Sequence, residues 1–244
     1  GVTNPSCTLA GLRCVLLGLL ELPESLSTPD HRQRWQRLLK ELPEIPLTDG
    51  DGGRIIACYS ERSDPDRHNS ENPNLYPVFP YQIYGLGKPD LELARRTYEQ
   101  RVIRYKPAVC WNQDPIFAAC LGLAEEARAG LAFRFTNSGG YRFPAYYVPT
   151  NDWAPDLDNG GAAQLTLQHM LMQTDGRRIL LLPAWPKEWD VDFKLHAPMN
   201  TTIQGIFRGG KMERLTVTPA SRMADVELQV EKDAGRDTKD MQAP

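Results

Sequence analysis

The residues best suited to chemistry lie on two polar loops. The first is within Val148–Met172 (VPTNDWAPDLDNGGAAQLTLQHMLM) and sets Asp152, Asp156 and Asp158, the amides Asn151 and Asn159, and Trp153 just ahead of a helical pattern. Pro149 and Pro155 remove backbone donors, and the Asn and Asp residues favour turns and caps. Gly160-Gly161 lets the backbone approach something closely, and from Ala162 the pattern turns helical. The second loop, Glu61–Pro80, carries Glu61, Asp64, Asp66, His68, Glu71 and Asn72, and Leu75, Tyr76, Val78 and Phe79 anchor its end. Carboxylates beside aromatics and amides suit sugar chemistry. One carboxyl protonates a leaving oxygen, another activates water, an aromatic face stacks on the ring, and amides bind hydroxyls. A plainer account stands beside this one: the acids cap a helix and solvate turns, Glu71 caps the Asn72-Pro73 turn, Trp153 packs as a loop anchor, and Trp111 and Gln113 are core and helix-end residues.

Other chemistries find less. G-x-S-x-G, P-loop, G-x-G-x-x-G and H-E-x-x-H motifs are absent. The four histidines are scattered, and His169 reads as a core or rim residue, so neither a metal nor a cofactor is expected. Five cysteines without C-x-x-C spacing read as buried thiols. A net charge of −3, with no basic patch interleaved with aromatics, argues against nucleic acid as a partner. Mean hydropathy of −0.46 and the lack of an apolar run of ~18 residues argue against a membrane partner. Leu9–Leu22 has the composition of a signal-peptide core but no cleavage pattern after it, and reads as a buried helix.

The positioning elements follow from periodicity. Helices are expected over Thr8–Leu22, from Asp30 to before Pro43 (Thr28 capping, Pro29 at N1), over Asp90–Arg104, over Val109–Ala129 and over Ala162–Gln173. Trp111, Asn112, Gln113 and Asp114 fall in the first turn of the fourth, with Asp114 as its N-cap. The pairing of these helices makes 1–175 a region of helical hairpins. Short extended runs then dominate: Ile179–Leu182, Asp192–Ala197, Thr201–Phe207 and Lys211–Thr218 about an Arg208-Gly209-Gly210 turn, and Ala224–Val230. They form a small antiparallel β module over 176–230, followed by a charged, disordered tail over 231–244.

Longer stretches carry a resemblance. RHNSENPNLYPVFPYQIYGLGKPDLELARRTYEQR is similar to a run in bacterial six-hairpin glycosidases, with the shape of the H-R-H-x-S-H-L-Y-x-L-Y-P stretch of glycoside hydrolase family 95, the α-L-fucosidase and α-L-galactosidase group. CWNQDPIFAACLGLAEEAR resembles the next helix of that class. DWAPDLDNGGAAQLTLQHMLMQTDGRRILLLPAWPKEWDVDFKLHAP resembles its Q-I-D-G-N-F-G-G loop, helix and L-L-P-A-L-P strand. The resemblance spans about Asp30 to Val230. It implies a mainly α fold, an (α/α)6 toroid followed by the β module, and inverting hydrolysis of a glycosidic bond in an oligo- or polysaccharide. The base aspartate falls at Asp158, with Asp156 as the alternative. Glu71 stands where the family has no acid and is either a substrate contact or an alternative acid. Trp153, Asn159, His68, Asn72, Trp111 and Gln113 are the matching candidates for holding the sugar. Five helices fill only part of a toroid, so the chain is expected to be the C-terminal portion of a larger enzyme. It need not be active by itself, and the family suggests a secreted or periplasmic address. A polysaccharide lyase using His68, Tyr76 and Arg67, or a non-catalytic carbohydrate-binding piece, are the rival readings.

Overall fold

The computed structural model describes residues 1–62, 71–101, 111–136, 146, 155 and 157–229. His68, Trp153, Asp156 and the tail 231–244 lie outside the described residues. The chain forms two compact units, Gly1–Lys106 and Pro107–Pro244.

In the first unit, β1 (Val2–Thr3) leads into α1 (Ser6–Leu20) and α2 (Pro29–Glu41). The buried Ser6 fastens the start of α1: its N–H donates to the Cys58 carbonyl at 2.8 Å and its hydroxyl to the same oxygen at 3.2 Å. Helix α2 starts as its sequence demands, with Pro29 in the first turn and Thr28 Oγ1 accepting from the His31 N–H at 3.2 Å. Arg32 of α2 reaches back to the C-terminal end of α1. It donates to the carbonyls of Leu20 (3.0 Å) and Leu22, where orphan helix oxygens and the helix dipole favour a cation. The hairpin of β2 (Leu47–Gly50) and β3 (Gly53–Ile56) turns at Asp51-Gly52, with Gly52 at φ 72°. β4 (Glu61–Arg62) pairs antiparallel with β1, and α3 (Leu91–Glu99) closes the unit. Ala10, Ile45, Ile56 and Leu93 form the core, with Leu47, Tyr81, Ile83 and Tyr84 packed against it. Buried Thr97 bridges two elements, accepting from the Ile56 N–H (2.9 Å) and donating to the Leu93 carbonyl (2.8 Å).

In the second unit, α4 (Asp114–Cys120) is buried at all seven positions. It is followed by α5 (Ala124–Thr136) and α6 (Leu157–Leu171). The single helix expected over Val109–Ala129 is two, because Gly122 at φ 74° turns the chain after Leu121. Pro115 sits where a side chain on Gly130 would be, 2.4 Å from an added Cβ, so α5 presses closely on the start of α4. Helix α6 runs directly into β5 (Met172–Asp175), which pairs antiparallel with β6 (Arg178–Leu181). The strands β7 (Val191–Ala197), β8 (Thr201–Arg208) and β9 (Lys211–Thr218) form an antiparallel meander. Gly205 in mid-β8 lies opposite Phe193, whose ring covers it and occupies the place of the missing side chain. The last strand, β10 (Val226–Leu228), pairs parallel to β6, so the β module is not purely antiparallel.

The (α/α)6 toroid of mainly helices is not formed. Among the described residues helix takes 43% and strand 23%. The strands do not wait for the end of the chain: a hairpin and two edge strands lie among the helices of the first unit. Hairpins and short pairings satisfy backbone groups locally there, in segments where a toroid would need further helices.

Candidate functional site

The second unit gathers Trp111, Gln113, Asp158 and Asn159 at one end of its three helices. The sequence pattern puts Gly160 and Gly161 in a loop ahead of a helix that starts at Ala162. Instead α6 begins at Leu157, so Asp158, Asn159 and both glycines belong to its first turns. Asp158 is exposed and makes no ion pair among the described residues. A carboxylate there complements the positive end of the helix dipole and stays open to water. Asn159 is fully buried. The Tyr146 ring lies over Gly160, 2.3 Å from an added Cβ, and the Tyr146 hydroxyl accepts from Gln164 Nε2 at 2.8 Å. Gly161 faces open space.

The residue that joins the site is Arg134 of α5, only 1% exposed. Its Nη1 donates to Asn159 Oδ1 at 2.6 Å and, longer, to the Asn159 carbonyl at 3.4 Å. Its Nη2 donates to the Asn112 carbonyl. One planar guanidinium thus ties the first turn of α6 to the turn that enters α4. Asn112, itself buried, shapes that turn: its Oδ1 accepts from the Asp114 N–H at 3.0 Å. Asp114 is therefore not the N-cap: that position is Gln113, which makes no side-chain cap bond, and Asp114 is the buried first residue of the helix. On either side of Asn112, the Trp111 indole N–H and the Gln113 Oε1 are enclosed and have no hydrogen-bond partner among the described residues. A donor and an acceptor left this way cost about 1–3 kcal/mol each unless a ligand or water satisfies them.

Arg134 was not among the residues singled out in the sequence, although a signal existed. Ala127, Leu131 and Arg134 follow the i, i+4, i+7 spacing of one helix face, and all three are buried. A charged residue on an apolar stripe must find partners inside the protein, and this one does.

Glu71 and Asn72 belong to the first unit. Asn72 is buried and its carbonyl accepts from the Leu75 N–H at 2.9 Å, closing the 3-10 turn Pro73–Leu75. Glu71 is exposed at the backbone entry to that turn and accepts from the Tyr76 hydroxyl. Burial first, and then the Glu71 carboxylate, push the Tyr76 phenol well above its ordinary pKa. His169, on α6, is pushed the other way: burial lowers its pKa, favouring the neutral ring. Among the described residues no group of three His, Cys, Asp or Glu side chains is placed to hold a metal ion, and no helix is long and apolar enough to cross a membrane. No protein-family model matches this chain, and no curated protein does.

Proposed function

We propose that this chain takes part in hydrolysing a glycosidic bond, with Asp158 as the base that activates water and carbohydrate as the partner. The observation that carries the proposal is the unsatisfied pair at Trp111 Nε1 and Gln113 Oε1, held by Arg134 to the same frame as the exposed Asp158 carboxylate. An alcohol group accepts and donates at once, so sugar hydroxyls can satisfy an indole N–H and an amide oxygen together. Asp158 would take a proton from water as the water oxygen bonds to the anomeric carbon. The glycosidic C–O bond breaks, and a second carboxylic acid protonates the departing oxygen, as inverting hydrolysis requires. The likeness of 152–198 to glycosidase loops supports the same chemistry; the fold is not part of the support.

A lyase that used Tyr76 as its base would need the phenol already deprotonated. Burial and Glu71 instead hold its proton. The test is release of reducing sugar from a panel of plant and host glycans, comparing the protein with Asp158→Asn. Loss of turnover with an unchanged fold and retained oligosaccharide binding is expected. Equal turnover in the variant removes Asp158 from the reaction. An unsaturated product absorbing in the ultraviolet would replace hydrolysis by elimination.

A further inference from the structure

We infer that Arg134 is the positioning residue of this site: it sets the first turn of α6, and with it Asp158, against the Trp111–Gln113 turn. The inference rests on the hydrolytic reading for its kinetic consequence but not for its structural content. The guanidinium is a rigid plane whose two terminal nitrogens reach different segments, Asn159 on one side and Asn112 on the other. Asn159 is bound through its side chain and, at 3.4 Å, through its carbonyl, which restrains both translation and rotation of the turn that carries Asp158. Asn112 is bound through its backbone oxygen, and its side chain orders the next peptide. Its neighbours Trp111 and Gln113 are the residues with an unfilled donor and acceptor. One buried side chain thus links the turn that carries Asp158 to the turn that carries Trp111 and Gln113.

A lysine in this place keeps the charge but has a single nitrogen on a flexible stem and cannot fork between the two segments in one plane. Arg134→Lys should therefore preserve the fold while loosening both segments together. The first measurement is hydrogen exchange across the second unit. Faster exchange at 111–114 and 157–161, with β7–β9 unchanged, supports the inference. Unchanged exchange at both, a change at only one, or loss of protection throughout the unit would each overturn it. The second measurement is kinetic. A misplaced catalytic group lowers kcat by about 10²-fold, and KM should stay close to that of the parent protein. Arg134→Ala should regain part of that rate when guanidinium ion is added at millimolar concentration, with no matching gain from an equal concentration of ammonium. A residue with a merely structural role would show neither the kcat-against-KM split nor selective rescue, and that outcome overturns the kinetic part. If the parent protein releases no sugar, the hydrolytic reading fails, and the exchange experiment still decides the role of Arg134.

Discussion

Two adjacent glycines in α6 should respond in opposite ways to the same substitution. Each lies inside the helix, where replacing Gly by Ala lowers the entropy lost on folding and stabilises by about 0.5–1 kcal/mol. At Gly161 an added Cβ meets nothing within 4 Å, so Gly161→Ala should realise that gain. At Gly160 the added Cβ would lie 2.3 Å from Tyr146 Cε1 and 2.7 Å from Cδ1 and Cζ. Carbon atoms rest about 3.5–4.0 Å apart, so the ring must retreat by roughly 1 Å or more. Overpacking of this kind costs about 1–3 kcal/mol. Moving the ring also strains the 2.8 Å bond from Gln164 to the Tyr146 hydroxyl, worth about 0.5–1.5 kcal/mol. After subtracting the helix gain, Gly160→Ala should destabilise by about 1–3.5 kcal/mol and separate from Gly161→Ala by about 1.5–4.5 kcal/mol. Urea unfolding of both variants, followed by far-ultraviolet circular dichroism, reads the difference. Adding Tyr146→Ala should remove most of the Gly160→Ala penalty, since the two side chains occupy one space. Equal stabilisation by both alanines would mean that Tyr146 does not lie over the start of α6, and the account of that end of the site would be wrong.

Thiol reactivity should divide the cysteines by burial: Cys14 is exposed, whereas Cys120 is buried with its thiol pushed up to about 12 by desolvation. Mass-spectrometric mapping after brief iodoacetamide treatment should find Cys14 modified and Cys120 spared in the native protein, and early labelling of Cys120 would refute its placement in α4. Burial lowers the folded-state pKa of His169, so as pH falls below about 6.5 the unfolded chain takes up a proton before the folded one does. This contribution to stability is complete above that pH and is lost as pH falls toward the lower folded value. His169→Gln should flatten the pH dependence in that window, and an NMR titration placing the His169 pKa above 6.5 would reverse the sign and reject the reasoning.

Much of the local structure was legible in the sequence. The Thr28-Pro29 start of α2 carries its own instructions, an oxygen that caps and a ring that fixes φ, and forms as read. The order of the strands from β6 to β10 follows from period-two runs bounded by Gly, Asn and Pro. The sites were legible as residue types, with Trp111, Gln113, Asp158 and Asn159 on two segments, but nothing in their spacing said that the segments meet. Glu71 and Asn72 looked equivalent to them and belong to the first unit.

What only tertiary structure decided depends on partners distant in sequence. Gly160-Gly161 has poor helix propensity, which suggested a loop, yet α6 begins before it because Arg134 holds Asn159 and Tyr146 fills the space above Gly160. The expected long helix at 109–129 breaks at Gly122, whose φ of 74° a helix interior does not allow. β10 pairs parallel to β6 across more than forty residues, a choice that alternation in either strand cannot encode. The toroid was implied by resemblance, not by the helical pattern, and periodicity reports which face of an element is apolar but not what that face will meet. Caps, turns and strand order are local quantities and can be read from the chain; the frame that Arg134 builds is a contact among residues 112, 134 and 159, and only folding brings it into being.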